Sequence, residues 1–175
     1  VAESTATLDI QTLEDLYLTD HVPAWSRSLT NRRIKRPKAL LLDSGLCARL
    51  SGLSFEDLTS PLGANDLGGL LEGFVTAELM RQRSWSDVEY RLSHFRESGG
   101  AEVDLVIEVP GRRVLGLEVK ASSSPTAAHF SGLRTLKERV GADFLGGIVL
   151  HLGPRALSFG DGMLALPVPA LWQLH

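Results

Sequence analysis

The sequence predicts a mixed α/β domain: one amphipathic helix, an antiparallel meander of three strands, then a second helix crossing over to a further strand. Three observations carry this prediction. Apolar residues recur at helical spacing at Leu67, Leu70, Leu71, Phe74, Val75 and Leu79. The period then changes to two through Val88, Tyr90 and Leu92, through Val103, Leu105, Ile107 and Val109, and through Leu115, Leu117 and Val119. Helical spacing returns at Phe130, Leu133, Leu136 and Val140, followed by an apolar run from Phe144 to Leu150. Period 3.6 places residues on one helix face and period two on one strand face, so the order is helix, three strands, helix, strand.

The flanking segments are weaker signals. Leu13 to Leu18 reads as a short helix ended by Pro23. Ala39 to Leu42, bounded by Asp43 and Gly45, reads as a short buried strand. Residues 51–66 read as a loop, with Asn65 or Asp66 available to cap the helix that runs to about Gln82. Pro110 and Gly111 predict a hairpin between the second and third strands, and Gly141 ends the second helix. Pro167 and Pro169 break the apolar tail from Met163.

Composition excludes several classes. The 175 residues suit one ordinary domain with a short appendage. A net charge of −3 excludes a polycation that coats nucleic acid. No apolar run approaches the roughly 18 residues of a membrane span. The single cysteine, Cys47, excludes an internal disulfide framework and a cysteine-based zinc site. The five His residues have no metal-binding spacing. The chain opens at Val1 without a charged-then-apolar leader, so a cytoplasmic protein is expected. The missing Met suggests a processed chain or a piece of a longer one.

Charge is nonetheless distributed unevenly. Arg27, Arg32, Arg33, Lys35, Arg36 and Lys38 fall in one twelve-residue stretch with no acidic residue. A solvated linker accounts for this stretch as well as a contact with phosphate or an acidic partner does.

The hairpin carries the candidate chemistry. A three-residue loop of Pro110, Gly111 and Arg112 sets Val109 opposite Arg113, Leu105 opposite Leu117 and Val103 opposite Val119. In that register Asp104 falls opposite Glu118, and Glu102 opposite Lys120. Opposed carboxylates repel, and a cation between them would remove the cost. Mg²⁺ takes oxygen ligands, usually one or two carboxylates with water or phosphate. Asp, Glu and Lys together are the parts of metal-assisted phosphodiester cleavage. A solvent-facing strand with no special role explains the same pattern. Glu72 lies at the edge of the apolar stripe of the first helix, where it can reach a site between helix and sheet.

The order Glu72, Asp104, Glu118-Val119-Lys120 resembles the PD-(D/E)XK nuclease superfamily. Gly69-Leu-Leu-Glu-Gly-Phe-Val-Thr-Ala-Glu-Leu79, Glu102-Val-Asp-Leu-Val-Ile-Glu108 and Leu117-Glu-Val-Lys-Ala-Ser122 are similar to the C-terminal domain of unknown function of a large prokaryotic family of AAA-type ATP-binding proteins. Lys38-Ala-Leu-Leu-Leu-Asp-Ser-Gly-Leu46 and Leu166-Pro-Val-Pro-Ala-Leu-Trp172 also look like that pattern, and the resemblance covers roughly residues 10–172. The superfamily's Pro is absent, since Val103 precedes Asp104.

The resemblance implies a restriction-endonuclease-like core over residues 41–175 and, over residues 1–40, a helical and basic remnant of the connection to an ATPase domain. It implies Glu72, Asp104 and Glu118 as ligands of Mg²⁺ or Mn²⁺, with Lys120 orienting the attacking water. DNA and an N-terminal ATPase domain are the expected partners, reached through Arg27, Arg32, Arg33, Lys35, Arg36 and Lys38. A homodimer is a further arrangement to be tested. No GxxxxGK[S/T] phosphate loop occurs, so the chain is not expected to bind nucleotide or hydrolyse ATP by itself. The competing expectation is a catalytically inactive interaction or regulatory module, since a fold of this kind does not establish chemistry.

Overall fold

The computed structural model describes residues 3–28, 30, 32, 36–60, 63–97 and 99–173. A central sheet of six strands carries the domain: β3 (Arg91–Arg96), β4 (Glu102–Val109), β5 (Arg113–Lys120), β6 (Phe144–His151), β7 (Leu157–Ser158) and β8 (Met163–Pro167). Their spatial order is β3-β4-β5-β6-β8-β7. Strands β3, β4 and β5 form the antiparallel meander, while β5, β6 and β8 run parallel. The meander is joined by Pro110-Gly111-Arg112, with Val109 opposite Arg113 as the turn chemistry requires.

Two helices cover the sheet, one on each face. In chain order α1 spans Glu3–Asp15, α2 Ser44–Leu50, α3 Phe55–Thr59, α4 Ala64–Gln82 and α5 Ser131–Val140. Helix α4 sends Val75 and Leu79 onto Leu92, Leu105, Leu117, Val119 and Leu150. Helix α5 sends Leu133, Leu136 and Val140 onto Val103, Val106, Val114, Val149 and Met163. Gly116 and Gly147 stand side by side on β5 and β6 and leave the hollow that Leu133 fills. Burying such side chains contributes roughly 1.5–3 kcal/mol each.

Several expectations change in detail. The N-terminal helix is α1, thirteen residues long and ending at Asp15, so most of it precedes the segment from Leu13 to Leu18. Residues 51–66 are not simply a loop: α3 lies within them, started by a reciprocal capping box of Ser54 and Asp57. Helix α4 opens at Ala64 behind Gly63 and has no side-chain cap, so neither Asn65 nor Asp66 takes that role. Val88 is exposed and precedes β3 rather than belonging to it.

The N-terminal part is fastened to the meander. Strands β1 (Thr19–Val22) and β2 (Lys38–Leu41) form a separate antiparallel pair. The Trp25 backbone N–H donates to the His94 carbonyl at 2.6 Å, and the His94 N–H donates to the Pro23 carbonyl at 2.9 Å. These bonds occupy the outer edge of β3. Arg32 adds a bidentate ion pair with Glu108, its closest approach 2.6 Å, and its guanidinium lies over the Trp25 ring. The Trp25 indole N–H donates to the same carboxylate at 3.1 Å. Arg32 and Glu108 are largely buried, and the bond from Arg32 holds the Glu108 carboxyl below the usual range. Glu108→Ala should therefore cost about 2–4 kcal/mol in urea denaturation, because it strands a desolvated guanidinium.

Candidate functional site

The pairing of β3 with β4 is irregular at one point. Ser93 of β3 faces Val106 of β4, but Phe95 faces Val103. His94 alone therefore spans Asp104 and Leu105, which is the geometry of a β-bulge. The extra residue changes the parity of β4. Val103 packs with the α5 layer and Leu105 with the α4 layer, although strict alternation puts both on one face. The expected contact of Val103 with Val119 is accordingly not made: Val119 packs under α4. Asp104 and Leu105 instead line the same cavity as Glu72.

The bulge also ends the pairing of β4 with β5. Leu105 sits opposite Leu117 as the turn register requires, and the ladder stops there. The two carboxylates then replace backbone carbonyls as acceptors. Asp104 Oδ2 accepts the Val119 N–H at 2.8 Å, and Glu118 Oε2 accepts the Asp104 N–H at 3.4 Å. Each strand's carboxylate is thus held by the other strand's backbone. Glu118 Oε1 accepts from Lys120 Nζ at 2.6 Å. Glu102 does not oppose Lys120: it pairs with Arg96 across β3 and β4.

Glu72 reaches the site from the third turn of α4 and forms an ion pair with Lys38, the first residue of β2. The three carboxylates thus divide into an Asp104–Glu118 pair and a Glu72–Lys38 pair. Among the described residues no group of three His, Cys, Asp or Glu side chains is arranged to hold a metal ion. Nor does any cation make an ion pair with Asp104 among them, whereas Glu72 and Glu118 each have a lysine. Burial, then the charges of Glu118 and Glu72, push the Asp104 carboxyl up to about 7. Burial raises Glu118 too, against the bond from Lys120. For Lys38 and Lys120, burial works against the charge, but the carboxylate partners outweigh it and both ammonium groups are raised.

The donor chemistry suits a hard divalent cation. Two largely buried carboxylates face each other, one of them without its own cation, and a 2+ ion would relieve the repulsion that helps raise Asp104. A cavity of about 280 Å³ lies beside Asp104 and Glu72, walled by Leu40 and Leu41 of β2 and by Gly69 and Gly73 of α4. Lys38 stands between this cavity and an open groove containing Arg36, His94, Arg96 and Glu102. Sequence reasoning singled out Lys38 as one of the basic stretch and as the start of a family-like run, but not as a partner of Glu72. Its long-range partner on α4 leaves no local pattern to read. His129, beside the end of β5, was also missed: burial and the Lys120 charge lower its imidazole.

The basic stretch is divided in its use. Arg32 is committed to Glu108 and Lys38 to Glu72. Arg27 donates to the Val140 carbonyl at 2.7 Å, at the C-terminal end of α5, where a cation is favoured. Arg36 is exposed, and Arg33 and Lys35 lie outside the described residues. No described helix is long and apolar enough to cross a membrane.

Comparison with known proteins gives relatives without an assigned activity. Residues 1–57 match DUF8612, a domain of unknown function. The chain is 30% identical over 129 residues to uncharacterized protein Rv2008c of Mycobacterium tuberculosis, and equally to uncharacterized protein Mb2031c of Mycobacterium bovis. The alignment covers 74% of this chain and 28% of each relative, so the chain spans little more than a quarter of their length. No solved structure matches. Residues 67–171, which hold most of α4, the whole meander, Glu72, Asp104, Glu118 and Lys120, match the model of DUF4143, and the chain belongs to this family, a domain of unknown function.

Proposed function

We propose that this chain is a nuclease-like domain that holds a divalent cation, Mg²⁺ or Mn²⁺, at Asp104 and Glu118 and binds DNA across that site. The observation that carries the reading is the arrangement at the end of the β4–β5 ladder. There two carboxylates and Lys120 are fixed by hydrogen bonds where the strands separate. The order α4, β3, β4, β5, α5, β6, with Glu72, Asp104 and Glu118-Val119-Lys120 on its first helix and second and third strands, supports a restriction-endonuclease-like core. The bound cation would supply a Lewis acid for a phosphoryl oxygen and a water of lowered pKa. Asp104 and Glu118 would hold it, and Lys120, steadied by Glu118, would orient a water or a phosphate oxygen. Arg36 lines the groove beside the site and would meet the phosphate backbone. The relatives are longer than this chain, which leaves room beside it for the ATPase domain that the resemblance implies.

Plasmid nicking in Mg²⁺ or Mn²⁺ tests the reading. Wild type should nick, and Asp104→Ala and Glu118→Ala should each reduce the rate by at least about 100-fold. Cleavage that survives both substitutions would overturn the assignment.

A catalytically inactive module is favoured by a different observation. Glu72 is already neutralised by Lys38, and Leu8, Ile10, Leu16 and Tyr17 on and after α1 are exposed, as a partner-binding surface would be. This reading predicts no carboxylate-dependent Mn²⁺ heat in calorimetry. Light scattering across concentrations would show whether the partner is a second copy.

A further inference from the structure

We infer that Lys38 is a tethered cation that occupies Glu72 and competes with a divalent ion for the carboxylate site. The inference rests on the cation reading above and adds a residue from a different part of the chain. Lys38 begins β2, in the segment matched by DUF8612, whereas Glu72, Asp104 and Glu118 all lie in the segment matched by DUF4143. The carboxylate site is therefore composite, its charge balance set partly by the N-terminal hairpin.

Three carboxylates and two lysines meet here. Lys120 is paired with Glu118 two residues away on its own strand, so that contact comes with β5 itself. The Lys38–Glu72 contact spans 34 residues and depends on where the hairpin lies. The hairpin is held by local bonds that do not involve the carboxylates: β1 pairs with β2 along four residue pairs, and Trp25 and Pro23 bond His94. Lys38 is thus delivered to Glu72 by a backbone positioned independently. Its positive charge also acts on Asp104 and Glu102. A divalent ion arriving at Asp104 and Glu118 meets this ammonium as a like charge and finds Glu72 already engaged. Removing the ammonium raises the negative potential of the site and releases a third carboxylate.

Calorimetric Mn²⁺ titration of the whole chain tests this, on wild type, Lys38→Met, Lys38→Arg and the double variant Lys38→Met/Glu72→Gln. Lys38→Met should bind Mn²⁺ about tenfold more tightly than wild type, the size expected when one close charge is removed. Lys38→Arg keeps the charge and should stay within about threefold of wild type. The double variant should lose most of the gain. The Mn²⁺ electron spin resonance signal of the free ion gives the same affinities without any cleavage assay. Lys38→Met binding with wild-type or weaker affinity overturns this inference alone, and so does a double variant that keeps the gain. If no variant binds Mn²⁺, the cation reading falls and this inference with it. Lys38 is only half-buried, so Lys38→Met should keep the wild-type fold, which circular dichroism checks.

Discussion

Asp104→Asn, measured without metal, is expected to be more stable than wild type at pH 8 and indistinguishable from it near pH 4. The folded protein holds the Asp104 proton until about pH 7, whereas the unfolded chain releases it near 3.8. A carboxyl raised by folding contributes its stability below the unfolded pKa and loses it as pH rises through the folded one. Wild type should therefore lose stability between about pH 4 and pH 7, by up to about 4 kcal/mol if the whole displacement is realised. Glu118 is displaced in the same direction and adds to the trend. Asn keeps an oxygen able to accept the Val119 N–H, so the substitution removes the charge and spares the bond. Urea denaturation at pH 5 and pH 8 reads the effect. Equal stability of the two proteins at pH 8 would show that Asp104 carries no such strain. On the proposed cation reading, saturating Mn²⁺ should narrow or reverse the difference at pH 8, since a ligand bound only by folded wild type stabilises only that protein.

Gly132→Val should lower stability by about 3 kcal/mol or more, enough to prevent folding of a marginal domain. Gly132 lies in the first turn of α5, where the helix meets the beginning of β4. A β-carbon there would overlap the Glu102 backbone carbonyl, and the next nearest atom is also backbone. Neither can move as a side chain would. The helix must lift from the sheet, which also pulls Leu133 out of the hollow over Gly116 and Gly147. Gly68→Ala on α4 is the matched control. Its β-carbon would meet nothing within 4 Å, so it should gain about 0.5–1 kcal/mol from helix propensity. Thermal denaturation of both variants checks the pair. A Gly132→Val protein that melts like wild type would mean that α5 packs differently from this description.

The meander and the two covering helices follow from patterns confined to short stretches. Leu67 to Leu79 repeats at helical spacing, and Leu115, Leu117 and Val119 alternate. Pro110-Gly111-Arg112 closes the hairpin in one register because a slip of one residue would turn Leu105 and Leu117 to opposite faces. Such features need only neighbours along the chain. The short helices of the N-terminal half were harder to read, because α2 and α3 bury no residue and so show little periodicity.

The local pattern also placed Asp104 near Glu118, but for a reason that the structure replaces. Strict alternation would make them simple cross-strand neighbours. The fold inserts a bulge at Asp104 and Leu105, turns Asp104 toward α4, and ends the ladder so that each carboxylate takes a backbone N–H. A bulge depends on how many residues the partner strand offers at that point, and period two along β4 carries no mark of it.

Lys38 shows the same division more sharply. From sequence it was one cation among six, equally suited to solvent or phosphate. Tertiary structure sends Lys38 to Glu72, Arg32 to Glu108 and Arg27 to the end of α5. Periodicity along the chain dictated the two covering helices, the meander and its hairpin register, because those rest on contacts between near neighbours. The partners of Lys38, Arg32 and Arg27 were decided only by folding, because those contacts join residues dozens of positions apart and are selected by which surfaces the sheet and its two helices bring together.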